Sequence, residues 1–222
     1  MPEQPRKTVL CFGDSLTWGW RPVERGVPSE RYPREQRWTG VMAQALGDGY
    51  VVVEEGLNGR TTTADDPMDA RLNGSAYLPA ALASHLPLDL VVVMLGTNDT
   101  KATFGRSPFD IAVGAATLLG QVTASAGGIG TAYPAPRALL VAPPPLGEVT
   151  SPWFRALFDG AREKTLALPP LYAAAAAHHG AEFFDAGTAT ATTGVDGIHL
   201  APADNEALGA ALAARVREVL GG

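Results

Sequence analysis

Five short apolar runs, widely spaced, set the pattern of this chain. They cover residues 8–12, 50–53, 88–95, 137–141 and 181–184, the last ending at Asp185. Runs of this length, rich in Val, Leu and Phe, predict buried strands. The third, Leu-Asp-Leu-Val-Val-Val-Met-Leu, is apolar almost throughout. That predicts a central strand covered on both faces. Between the runs the apolar period becomes helical. Trp38–Leu46 is one such segment and stops at Gly47. Residues 108–124 carry Ile111, Ala115, Leu118, Leu119 and Val122 on one face, with Ser107 as the expected N-cap before Pro108. Residues 152–168 carry Trp153, Phe154, Leu157 and Phe158, and Pro202–Leu220 has Leu208, Leu212 and Val216 on one stripe. Strands alternating with helices predict right-handed crossovers and a parallel sheet with helices on both faces.

Two stretches fall outside that alternation. Residues 21–37 are polar, of mixed charge, and hold Pro22, Pro28 and Pro33; residues 60–87 form a long connection with a short helix expected near 78–84. Connections this long in a compact domain serve function or assembly, or are solvated insertions. No linker or internal repeat divides the chain, so residues 1–222 are expected to form one domain with extended loops near 21–37 and 60–87. Gly127-Gly128-Ile129-Gly130 lacks the Lys-Ser/Thr of a phosphate loop and follows a helix, so it reads as a connector.

Composition narrows the class. A chain of 222 residues that is 46% hydrophobic can bury a full core. A net charge of −6 argues against nucleic acid as a partner. One cysteine, Cys11, inside the first apolar run, permits no internal disulfide and reads as a small core residue. No run approaches a membrane span and no leader is evident, so a soluble cytoplasmic protein without membrane association is expected.

The chemistry sits where the strands are expected to end. Gly13-Asp14-Ser15 follows the first run, Glu55-Gly56-Leu57-Asn58-Gly59-Arg60-Thr61 the second, Gly96-Thr97-Asn98-Asp99 the third, and Asp196-Gly197-Ile198-His199 lies beyond the fifth. In a parallel sheet these tips share one edge, where ligands bind. Gly-Asp-Ser alone is more often an ordinary turn, and Asn98 or His199 alone reads equally as a turn or helix-entry residue. Together they suit acyl chemistry. Ser15 needs a base to become a nucleophile, His199 titrates in the right range, and Asp196 can orient its ring. The N–H groups of Ser15 and Gly59 and the amide of Asn98 can hold an oxyanion. Asp14 reads as a residue that holds the loop by hydrogen bonds. The remaining histidines, His85, His178 and His179, have no acidic partner at useful spacing and suggest no metal site.

These residues, in this order, resemble the GDSL, or SGNH, hydrolases over nearly the whole chain. The markers correspond to Ser15, Gly59, Asn98 and His199, with Asp196 as the triad acid. The resemblance implies a flavodoxin-like three-layer α/β/α sandwich with a five-stranded parallel sheet, and no cofactor or metal. Gly-Asp-Ser-Leu-Thr-Trp-Gly-Trp, Arg37-Trp38-Thr39-Gly40, Glu54-Glu55-Gly56-Leu57, Leu95-Gly96-Thr97-Asn98-Asp99-Thr100-Lys101 and Val195-Asp196-Gly197-Ile198-His199 are similar to the mycobacterial-type arylesterase and acyltransferase (perhydrolase) subgroup. That resemblance implies hydrolysis of small esters, and acyl transfer to alcohols or to hydrogen peroxide. It also implies a homo-oligomer, an octamer in the subgroup, and a pocket lined by Trp20, Asn58, Lys101, Phe154 and Ile198. The chain departs from one member of the subgroup at Asn58-Gly59, where that member has Ser-Ala. Rival readings are a carbohydrate acetylesterase, which would want an open polar groove, and a lysophospholipase, which would want exposed apolar surface. A third is a non-enzymatic flavodoxin-like module binding phosphate or a nucleotide. That last would have no use for a carboxylate-oriented imidazole.

Overall fold

The computed structural model describes residues 6–25 and 27–221. Five strands form one parallel sheet: β1 (Lys7–Gly13), β2 (Tyr50–Gly56), β3 (Leu90–Met94), β4 (Arg137–Ala142) and β5 (Glu182–Asp185). Their order is β2-β1-β3-β4-β5. The helices are α1 (Ser15–Trp18), α2 (Trp38–Leu46), α3 (Gly74–Ser84), α4 (Pro108–Thr123), α5 (Pro152–Leu157), α6 (Ala161–His178) and α7 (Pro202–Leu220).

Alternation along the strands builds the three layers. In β3, Val91 and Val93 face one way, into a core shared with Leu78 and Leu82 of α3, Ile111, Leu118 and Leu119 of α4, and Leu168 and Tyr172 of α6. Leu90, Val92 and Met94 face the other way, against Trp38 and Met42 of α2 and Leu208, Leu212 and Val216 of α7. All five residues of β3 are buried, as its unbroken apolar run requires. Cys11 lies in the second core, where burial pushes its thiol pKa up. No helix among the described residues is long and apolar enough to cross a membrane.

The helix expected at 152–168 is two helices. α5 ends at Leu157, Phe158 turns in to pack with Leu146, Ala161 and Ile198, and Gly160 takes φ +68. Only glycine adopts that conformation without steric cost, so the chain turns there and restarts as α6. α6 then runs through Pro169 and Pro170 to His178. Proline in a helix interior costs about 3 kcal/mol. Here the buried stripe of Leu168, Tyr172 and Ala176 outweighs the local stop signal. The helix expected at 78–84 likewise starts earlier, at Gly74, capped by the Asn73 side chain, and contains Pro79. Ser107 caps α4 as expected: its hydroxyl accepts from the Asp110 N–H while the Asp110 carboxylate accepts from the Ser107 N–H.

Loop 21–37 is fastened to the edge strand by charge. Glu54 accepts from Arg37 Nη1 at 2.7 Å and Arg31 Nη2 at 3.4 Å, and also from the Thr39 hydroxyl. Arg31 Nε in turn donates to the Trp18 carbonyl at 2.6 Å, so the loop also braces the end of α1.

Helices α2 and α7 touch backbone to backbone at Gly209, where a Cβ would lie 2.6 Å from the Trp38 carbonyl oxygen and 2.6 Å from Val41 Cβ. Alanine gains about 1 kcal/mol of helix propensity over glycine. Overpacking against backbone costs about 1–3 kcal/mol and should win. Gly209→Ala should therefore lower the urea unfolding midpoint, whereas a raised midpoint would refute this close packing.

Candidate active site

The sheet order reverses between β1 and β3, and parallel sheets open a crevice at such a point. Both strands end there. β1 runs out at Gly13, Asp14 caps α1 through its Oδ1, which accepts from the Leu16 N–H at 2.9 Å, and Ser15 is the first helical residue. Gly13 has to be small: a Cβ on it would fall 2.0 Å from Thr17 Oγ1 and 2.9 Å from the Met94 carbonyl oxygen. β3 ends at Met94, and Asn98 opens the turn that follows.

His199 reaches this crevice from the loop before α7. Its Nε2 lies 2.9 Å from Ser15 Oγ, and its Nδ1 lies 2.8 Å from Asp196 Oδ2. A carboxylate on Nδ1 holds the proton there and leaves Nε2 free to accept from the serine hydroxyl. The other Asp196 oxygen accepts from the backbone N–H of Ile198 and of His199, each at 2.9 Å. Burial pushes the Asp196 carboxyl up, but the hydrogen bond and charge of the His199 ring, with those two N–H groups, outweigh it and hold the pKa below the usual range. The loop itself is fixed by Asp204, whose Oδ2 accepts from the N–H groups of Thr193 and Ala201 at 2.9 and 2.8 Å. Trp20 stacks on the His199 ring, with centroids 5.2 Å apart and planes 22° apart. Trp20 therefore packs against the base as well as lining the pocket.

Three residues expected to supply donors, Ser15, Gly59 and Asn98, line the same pocket. The Ser15 N–H, at the first position of α1, has no acceptor within its helix. Gly59, at φ +85, turns its backbone at the end of β2. Asn98 is buried, with Nδ2 3.1 Å from the Arg60 carbonyl oxygen and 3.3 Å from Asp14 Oδ2. Burial pushes the Asp14 carboxyl up to about 7, against the opposing effect of the Leu16 N–H.

Ser15, Trp20, Asn58, Gly59, Asn98, Lys101, Phe154, Ile198 and His199 all line one pocket of about 220 Å³. Asp196 stands behind His199. Sequence reading missed Leu157 and Phe158, which complete the apolar wall; the break after α5 is what turns Phe158 inward. Lys101 Nζ is 3.6 Å from Asp66 Oδ2, which draws loop 60–87 to the pocket rim. Trp153, next to Phe154, points outward and is 77% exposed. One expectation fails: His85 does have an acidic partner, since its Nε2 lies 2.8 Å from Glu55 Oε1, 30 residues away in sequence. Among the described residues no three His, Cys, Asp or Glu side chains cluster as metal ligands would.

A hydroxyl bonded to a carboxylate-oriented imidazole can attack a carbonyl. Comparison with known proteins points the same way. The profile of the GDSL-like lipase/acylhydrolase family matches residues 11–207. The structure is similar to that of the native aryl esterase of M. smegmatis, with a TM-score of 0.95 at 58% identity over 96% of this chain and 100% of that one. It is similar to Est24, a carbohydrate acetylesterase from Sinorhizobium meliloti, with a TM-score of 0.95 at 59% identity over 96% and 100%. A carbohydrate acetylesterase family member from the same organism has a TM-score of 0.87 at 41% identity over 97% and 100%. No curated protein matches the chain. On the family profile and the likeness to these esterases, the chain is an ester-hydrolysing enzyme and belongs to the GDSL-like lipase/acylhydrolase family.

Proposed function

We propose that the enzyme cleaves small carboxylic esters by a two-step acyl transfer through Ser15. The observation that carries this reading is the continuous Ser15–His199–Asp196 hydrogen-bonded chain opening into a small pocket walled by Trp20, Phe154, Leu157, Phe158 and Ile198. His199 takes the Ser15 proton as Oγ attacks the ester carbonyl. The tetrahedral oxyanion accepts from the Ser15 and Gly59 N–H groups and from Asn98. Asn98 keeps its shorter contact to Arg60 and releases the longer one to Asp14. The C–O bond to the leaving alcohol then breaks, and that alcohol departs with the proton from His199. Water, an alcohol or hydrogen peroxide next gives its proton to His199 and attacks the acyl-enzyme, releasing acid, new ester or peracid and restoring Ser15.

Transfer to alcohols competes with hydrolysis when the acyl-enzyme sits where water is scarce. Five apolar side chains around about 220 Å³ supply that condition. With p-nitrophenyl acetate as donor and benzyl alcohol as acceptor, benzyl acetate should form alongside acetate. Release of acetate alone at saturating benzyl alcohol would remove transfer and leave hydrolysis. A carbohydrate acetate is the second candidate substrate, supported by the similarity to Est24 and by the polar Asn58 and Lys101 in an otherwise apolar pocket. Exposed Trp153, beside the pocket wall, supports a homo-oligomer, whose size equilibrium sedimentation would read. The single buried, unpaired cysteine supports a cytoplasmic location.

A further inference from the structure

We infer that Arg60 is a positioning residue for the whole oxyanion hole, acting through all three of its donors. The inference rests on the oxyanion reading above. Arg60 is 3% exposed, an unusual place for a guanidinium. Its Nη1 donates to the Gly13 carbonyl at 2.9 Å and also to the Glu55 carbonyl. Gly13 begins the turn that presents the Ser15 N–H. The Arg60 backbone N–H donates to the Leu57 carbonyl at 3.0 Å, closing the turn that presents Gly59. The Arg60 carbonyl accepts from Asn98 Nδ2 at 3.1 Å. Side chain, N–H and carbonyl of one residue therefore reach the three segments that must converge on a single oxygen.

The guanidinium is itself held in place. Its central carbon lies 4.2 Å from the Phe12 ring centre and 5.2 Å from the Tyr77 ring centre. Arginine's flat face suits that site, and a lysine ammonium cannot stack there in the same way. The arrangement is poor as a simple stabilising device, because Nε is buried without a hydrogen-bond partner. An unsatisfied buried donor makes sense where the fork's direction is set by what Nη1 must hold. Preorganised donors lower the barrier only if they stand where the charge develops, and small misplacements are costly.

A double-mutant cycle tests this. Asn98→Ala should lower kcat by about 10²–10³-fold. Arg60→Lys should lower kcat by about 10-fold with KM within about 3-fold, since the ground state does not use the hole. In the Asn98→Ala background the same Arg60→Lys step should again cost about 10-fold, because the side chain acts on the Gly13 and Glu55 carbonyls while Asn98 uses the backbone carbonyl, which the substitution keeps. An unchanged kcat for Arg60→Lys, or a loss of kcat/KM carried by KM alone, would overturn the inference. An Asn98→Ala enzyme with full kcat would instead overturn the oxyanion reading beneath it. If Arg60→Lys gives no cooperative thermal transition, Tyr77→Leu loosens the guanidinium from the half-exposed side without removing its charge. It should lower kcat by about 3-fold with KM unchanged, in the parent and in Asn98→Ala alike; an unchanged kcat would overturn the inference.

Discussion

Ser15→Ala should remove ester turnover almost completely, with kcat for p-nitrophenyl acetate falling by on the order of 10⁵–10⁶-fold. The oxygen lost is the one that His199 Nε2 meets at 2.9 Å. What remains would be the contribution of the oxyanion donors to direct attack by water. The fold should survive. Ser15 starts a single helical turn whose cap, Asp14, stays in place, and the change removes one oxygen at the edge of a pocket. A variant with unchanged circular dichroism and thermal midpoint but no turnover is the expected result. Turnover within about 10-fold of the parent would place the nucleophile elsewhere.

Asp196→Asn should be nearly as damaging, lowering kcat by about 10⁴-fold. The new side chain can keep accepting from the Ile198 and His199 N–H groups through one oxygen. Its amide nitrogen would then face His199 Nδ1 and donate to it. That forces the proton onto Nε2, which can no longer take one from Ser15. The loss is thus a change of tautomer at an intact geometry. The ionised state that prevents this in the parent is secured by hydrogen bonds that hold the Asp196 pKa below its ordinary value despite burial. A carboxyl depressed in this way stabilises the fold above its unfolded pKa, and the contribution is lost as pH falls through the lower native value. Parent stability should therefore fall more steeply below pH ~4 than that of Asp196→Asn. Comparing urea midpoints of the two at acid and neutral pH checks the sign, and parallel midpoints would contradict it.

Much of the arrangement was legible because it depends on local pattern. The apolar run at β3 could only be covered on both faces, and it is. Polar clusters after each strand implied one edge, and parallel pairing puts the tips of β1 and β3 together. Elements were misread where distant packing overrode a local signal. Pro169 and Pro170 look like a helix stop, yet Leu168, Tyr172 and Ala176 hold α6 together across them. Gly160 looks ordinary in sequence, and its positive φ emerges only because Phe158 is drawn into a cluster with Leu146 and Ile198. Contacts with no sequence signature were not legible at all. Arg60 folds back on Gly13, 47 residues earlier, and the Trp20 ring lies on His199. His85 meets Glu55 through the return of α3 toward the edge strand. Glycines carried more information than their frequency suggests. A Cβ on Gly56 would fall 2.3 Å from the Trp18 backbone nitrogen, so β2 and α1 can approach this closely only where β2 has no side chain.

The central claim is that the acyl group passes through Ser15. Mass spectrometry of the intact protein, quenched in acid during turnover of p-nitrophenyl acetate and followed by peptide mapping, tests it most directly. The account predicts an acetyl adduct on the peptide holding Ser15 in the parent, and none on that peptide in Ser15→Ala. An adduct on another residue that forms and decays at the rate of turnover, with Ser15 unmodified, would contradict it.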